Sequence, residues 1–115
     1  VKMGALLEKV KTLLEVDVTE PIYDDQLLLL INGGISYLLN NGIPVAAVDD
    51  STTFDDFAGL TEPDRAVVLQ WLFLWVLQRF DMTTMSDNKF TVTTGSWIAD
   101  ELDNLLYMLK VQYGT

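Results

Sequence analysis

The chain has 115 residues, enough for one domain that builds its core without disulfides or metals. It contains no cysteine and no histidine, which removes thiolate and imidazole chemistry and the usual zinc ligands, leaving carboxylates, lysines, tyrosines and hydroxyls for any reaction. Seventeen acidic against seven basic side chains give a formal charge of -10, which repels nucleic acid phosphates and anionic membrane surfaces. No basic segment followed by an apolar run and a small-residue cleavage site opens the chain, so no secretory signal is expected.

From Lys2 to Glu15, the apolar residues Leu6, Leu7, Val10, Leu13 and Leu14 recur at helical spacing, with Glu8, Lys9, Lys11 and Thr12 on the other face. The segment VDVTEPIYDD breaks that pattern at Pro21 and offers Asp24 as a helix cap. A second helix, DDQLLLLINGGISYLLNNG, is expected to end at Gly42 in a left-handed cap, with Pro44 preventing continuation. Its internal Gly33-Gly34 costs about 1 kcal/mol per glycine relative to alanine. That cost is either a simple kink or the mark of close approach by a neighbouring helix, with the tryptophan-bearing segment as the neighbour.

Residues 43–60 show no helical period and carry the pairs Asp49-Asp50 and Asp55-Asp56. Connections longer than about 12–15 residues are usually functional or mobile. Thr61 then caps a helix with Pro63 in its first turn and Asp64 three residues after the cap. That helix contains VVLQWLFLWVLQRF, Val67 to Phe80, which is apolar around its whole circumference. The run is interrupted by Gln70 and closed by Gln78 and Arg79, and it is too short for a membrane span, which takes roughly 20 residues. Three short amphipathic helices cover such a cylinder with difficulty, so two readings stand: core alone, or core plus a subunit interface through Trp71, Phe73, Trp75 and Phe80.

Beyond it, Phe90 to Thr93 has the β-branched content of a short strand or an extended arm. Ser96 is expected to cap a last helix with Ile98, Leu102, Leu105, Leu106 and Leu109 inward and Asp100, Glu101, Asp103 and Asn104 toward water. The expected fold is therefore all-α: one domain over residues 1–115, a small bundle of about four helices with a long acidic loop between helices 2 and 3 and an extended segment before the C-terminal helix.

Chemistry finds no foothold. The loop DDSTTFDD lacks the alternating ligands and turn glycine of a calcium loop, so a solvated acidic loop is the favoured reading and no metal is expected. No phosphate-binding glycine loop, nucleophile elbow or basic-aromatic patch is present, and neither enzymatic activity nor a cofactor is expected. Tyr107, Met108 and Tyr113 are the aromatic and pliable side chains by which the last helix would dock on a partner.

Two patterns resemble a known family. Asp24, Asp25, Leu27, Leu30, Ile31, Tyr37 and Leu38, followed after the loop by the apolar R-A-x-x-x-x-x-L-x-x-x-V-L-x-R-F helix from Arg65 to Phe80, resemble the head-to-tail connector (adaptor, or head-completion) proteins of tailed bacteriophages. The resemblance implies a non-enzymatic virion protein at the head-tail junction, assembled in the bacterial cytoplasm. It implies self-association into a dodecameric ring beneath the portal protein, contacts with further connector or tail-completion proteins, and a channel through which DNA passes without specific binding. Arg65 and Arg79 would serve at subunit contacts, although the family often carries more basic residues in this helix. Asp49, Asp50, Asp55 and Asp56 would line the channel and repel the phosphate backbone. The alternative is a monomeric acidic module that sequesters a basic partner or mimics DNA.

Overall fold

The computed structural model describes residues 5–80 and 95–113. Four helices follow one another: α1 (Leu6–Leu13), α2 (Asp24–Asn40), α3 (Glu62–Arg79) and α4 (Gly95–Tyr113), with a 3-10 turn (Phe54–Asp56) between α2 and α3. Among the described residues the extended pairing is confined to one bridge between Ala5 and Thr53. The fold is all-α, as expected; the Phe90 to Thr93 segment lies outside the described residues.

α3 occupies the centre and packs on each of the other three helices, most extensively on α4 and α2. This follows from its sequence, because a helix without a polar face must be covered from several directions. Val68, Trp71, Leu72, Leu74 and Val76 are buried, and the Trp71 indole N–H donates to the Leu102 carbonyl of α4 at 3.1 Å. The face of α4 that meets it is the expected one: Ile98, Leu102, Leu105, Leu106 and Leu109. The helix starts at Gly95, which puts Ser96 inside its first turn instead of at its cap.

The α2–α3 contact explains the paired glycines. A Cβ on Gly34 would stand 3.0 Å from Trp71 Cζ3 and 3.1 Å from both Leu72 Cδ2 and Trp75 Cδ1. The tryptophans thus lie against bare backbone, and only Gly34 is required for it. Gly33 faces outward, with Trp75 Nε1 3.8 Å from its notional Cβ.

The two helices on the N-terminal side end in the same hydrogen-bonded closure. At α2, Gly42 takes φ 87°, its N–H donates to Leu39 O at 3.0 Å, and Ile43 N–H donates to Leu38 O at 3.1 Å. This is a Schellman ending with the buried pair Leu38 and Ile43 as its apolar clasp. α1 closes likewise, Glu15 N–H to Thr12 O at 3.1 Å and Val16 N–H to Lys11 O at 2.8 Å, but here Glu15 adopts φ 63°. A side chain in that left-handed region costs on the order of 1 kcal/mol more than glycine.

Lys11 departs from the sequence reading. It belongs to the polar set of α1, yet it is 1% exposed. Its Nζ donates to Val18 O at 3.2 Å, to Glu20 O at 2.7 Å and to Asp24 Oδ1 at 2.7 Å. Three acceptors satisfy the three ammonium donors, which is the condition for burying a charge. Leu13, counted on the apolar face, is correspondingly 43% exposed.

The long loop is built into the core. Ile43, Val45, Val48, Phe54, Phe57 and Leu60 are all buried. Asn32 of α2 clamps the loop from the side: Val48 N–H donates to Asn32 Oδ1 at 2.7 Å and Asn32 Nδ2 donates to Val48 O at 2.9 Å. Leu6 N–H donates to Thr52 O at 2.8 Å, so α1 begins on the loop.

Candidate assembly surfaces

The residues expected at a subunit interface divide into two groups. Trp71 and Phe80 are 1% and 4% exposed and spend their surface within the protomer; Phe80 meets Tyr23 edge to face, with centroids 5.4 Å apart. Phe73 and Trp75 are half-buried. Trp75 joins a stack at the α2–α3 seam, 5.0 Å from Trp71 and 5.4 Å from Tyr37 between ring centroids. The Arg79 guanidinium carbon lies 3.4 Å from the centroid of the Trp75 ring, a cation-π contact. Partial burial lowers the pKa of Arg79 from its ordinary value. Its Nη1 donates to Trp75 O at 3.2 Å and to Gln78 Oε1 at 2.8 Å. Tyr37, Trp75 and Arg79 thus form a cluster of the residue types that dominate protein interfaces.

Arg65 sits apart from that cluster, at the other end of α3. Nη1 donates to Asp55 Oδ1 at 2.9 Å, while its Nε is buried without an acceptor. It borders a cleft of about 420 Å³ between α1, the 3-10 turn and the first turns of α3. Lys9, Phe54, Asp55, Glu62 and Leu69 also line this cleft. Sequence periodicity did not single out Lys9, because its neighbours in the cleft come from two other segments.

The four loop aspartates have separate local tasks. Asp49 accepts at one oxygen from Ser51 N–H and Oγ–H, each at 2.9 Å, and from Thr52 Oγ1 at 3.0 Å. Those donors, the Ser51 N–H first, hold its carboxyl below the usual aspartate range. Asp56 accepts from Thr53 N–H at 2.9 Å in the capping box of the 3-10 turn, and Asp55 pairs with Arg65. Asp50 is exposed. Among the described residues no group of three or more acidic side chains is placed to hold a metal ion, and no described helix is long and apolar enough to cross a membrane.

On α4 the expected docking residues also separate. Tyr107 and Met108 are 70% and 54% exposed. Tyr113 is half-buried, and its hydroxyl accepts from Thr61 N–H at 2.9 Å and donates to Asp64 Oδ2 at 2.7 Å. It pins the last turn of α4 to the start of α3. Thr61 Oγ1 donates to the same Asp64 oxygen at 2.7 Å, so the threonine at this N-cap engages a side chain and makes no cap bond to the backbone. Trp97 and Val111, which the inward-facing pattern did not mark, are exposed as well. Trp97, Tyr107 and Val111 fall on one side of α4, with Met108 beside them, at spacings that a helix of 3.6 residues per turn brings together.

No curated protein and no solved structure matches the chain. Residues 6–115 match the model of the phage connector protein family, so nearly the whole chain is covered, α1 to α4 inclusive, and the protein belongs to that family of phage structural proteins.

Proposed function

We propose that the chain works as one subunit of a ring that sits beneath the portal, extends the DNA channel and joins capsid to tail. The observation that carries this reading is the outward face of α4, where large apolar side chains remain exposed after the core of the protomer is complete. Trp97, Tyr107, Met108 and Val111 share this helix, while Leu29, Tyr37 and Leu39 are exposed on α2; a contiguous exposed apolar face marks an interaction surface. These side chains take no part in the core of the described residues, which leaves that surface for assembly. In the ring, Tyr107 and Met108 face a partner, Tyr37, Trp75 and Arg79 supply a second contact region, and the acidic loop at Asp49, Asp50, Asp55 and Asp56 repels DNA in transit.

Electron microscopy of purified portal rings mixed with the chain tests the proposal. The expected result is an added ring of density below the portal, lost when Tyr107 and Met108 are both changed to serine while the helical circular dichroism stays that of the parent. A parent chain that leaves the portal bare, under conditions where it is folded, would refute the ring reading.

A further inference from the structure

We infer that the cleft between α1, the 3-10 turn and the start of α3 is a socket for the outward face of α4 from a second copy, with Asp100 of that copy meeting Arg65 and Lys9. The inference rests on the ring reading above and names the contact that would link one subunit to the next.

The socket is defined by an unfinished cation. Arg65 directs Nη1 to Asp55, which is largely exposed, and keeps Nε buried with no acceptor. The Arg65 side chain is 28% exposed, and that exposed part is what an incoming carboxylate can reach. Lys9 borders the same space and has no carboxylate within 4.0 Å among the described residues. The walls between them are apolar, from Phe54, Ala66 and Leu69. Glu62 lies on the rim as the acid that Arg65 does not engage, so the socket suits a single carboxylate framed by apolar side chains in preference to a run of acids.

α4 carries the inverse arrangement. Asp100 is exposed and stands three residues after Trp97 and seven before Tyr107, in one stripe with Asn104 and Val111. Asp100, between exposed apolar side chains, is the complement of Lys9 and Arg65 beside the apolar part of a cleft whose lining also holds Asp55 and Glu62. None of the residues lining the cleft comes from α4, so the two halves are separate surfaces of one chain. A contact between different patches of identical subunits is heterologous and propagates from copy to copy, closing into a ring when the rotation permits.

The absence of cysteine makes the test clean. Ala66→Cys marks the socket and Asn104→Cys marks the stripe without removing any of the proposed charges. With a short bismaleimide, each single variant alone should remain uncross-linked, a mixture of the two should give dimers, and the double variant should give a ladder, both in concentrated solution and on portal rings. Arg65→Glu and Asp100→Arg should each lower ladder yield about tenfold, and combining them should restore it, as a charge swap across one contact does. Lys9→Glu, which leaves the Arg65–Asp55 pair in place, should lower the yield as well and separates loss of contact from loss of fold.

The outcomes are distinct. Rings of the double variant on the portal without a ladder, or a ladder indifferent to these charges, would overturn the socket and leave the ring reading standing. Cross-linking of Asn104→Cys to the portal chain would overturn it by assigning the stripe to the portal. A folded parent that leaves the portal bare, together with a folded double variant that gives no ladder in concentrated solution, would defeat both readings.

Discussion

α3 and α4 invert what their sequences advertise. α3 is the greasier helix, yet its tryptophan-bearing surface is taken up by its own chain: Gly34 admits Trp71, Leu72 and Trp75 from one side and α4 covers it from another. α4 reads as an ordinary amphipathic helix, yet Tyr107 and Val111 are 70% and 67% exposed. Total hydrophobicity therefore tells where the core is, and the apolar residues lying off the inward stripe are the ones left exposed. A helix apolar all round asks to be enclosed, whereas apolar residues aligned on the outward side of an amphipathic helix have no folding task.

The sharpest break in this contrast is Trp71→Ala, which empties the centre of the bundle and removes the indole donor to Leu102 O; a loss of about 3–5 kcal/mol is expected in urea unfolding. Gly34→Leu comes next, since its side chain must enter space held by two indoles, at a cost of about 1–3 kcal/mol. Gly33→Ala should move the other way, raising stability by up to about 1 kcal/mol, because the residue faces outward and gains helix propensity. If Gly33→Ala and Gly34→Leu shift the midpoint alike, close packing at one specific glycine is wrong. On α4, Tyr107→Ser and Met108→Ser should each change stability by less than about 0.5 kcal/mol while abolishing the added ring of density on the portal. A large drop in melting temperature for either would show that this face serves the fold.

The smallest effect is expected in the loop. The pKa of Asp49 is lowered in the folded chain, so the stability it lends is present above the usual aspartate range and is lost as pH falls through its folded value. Acid titration followed at the Ser51 amide by NMR should show that loss, and Asp49→Asn should abolish the titration. The Trp71 indole signal should stay unmoved over the same range.

Much of this was legible in the residues. The α2 end at Gly42, the α3 start after Thr61 and the inward face of α4 follow from local rules of capping and periodicity, whereas the paired glycines leave a kink and a close contact as equal readings. Lys11 was not, because a lysine is drawn inward only when acceptors from later residues converge on it, here Val18, Glu20 and Asp24. Nor was the order in the loop, where Asn32, 16 positions before Val48, supplies the clamp. The division of the interface candidates also depends on tertiary packing: Trp71 and Trp75 lie one helical turn apart, yet one is enclosed and the other half-exposed.

The clamp around Lys11 turns the chain into its own reporter of partial opening. Trypsin must draw a lysine side chain into its specificity pocket before it cuts, and the Lys11 ammonium is held by three acceptors inside the protein. Lys9, two residues upstream and only half-buried, shares the same helix without that enclosure. Acylating reagents will therefore label Lys9 from the folded state, whereas Lys11 becomes reactive only when α1 lifts away from the start of α2. The ratio of the two modification rates would read the free energy of that local detachment without unfolding the rest of the bundle.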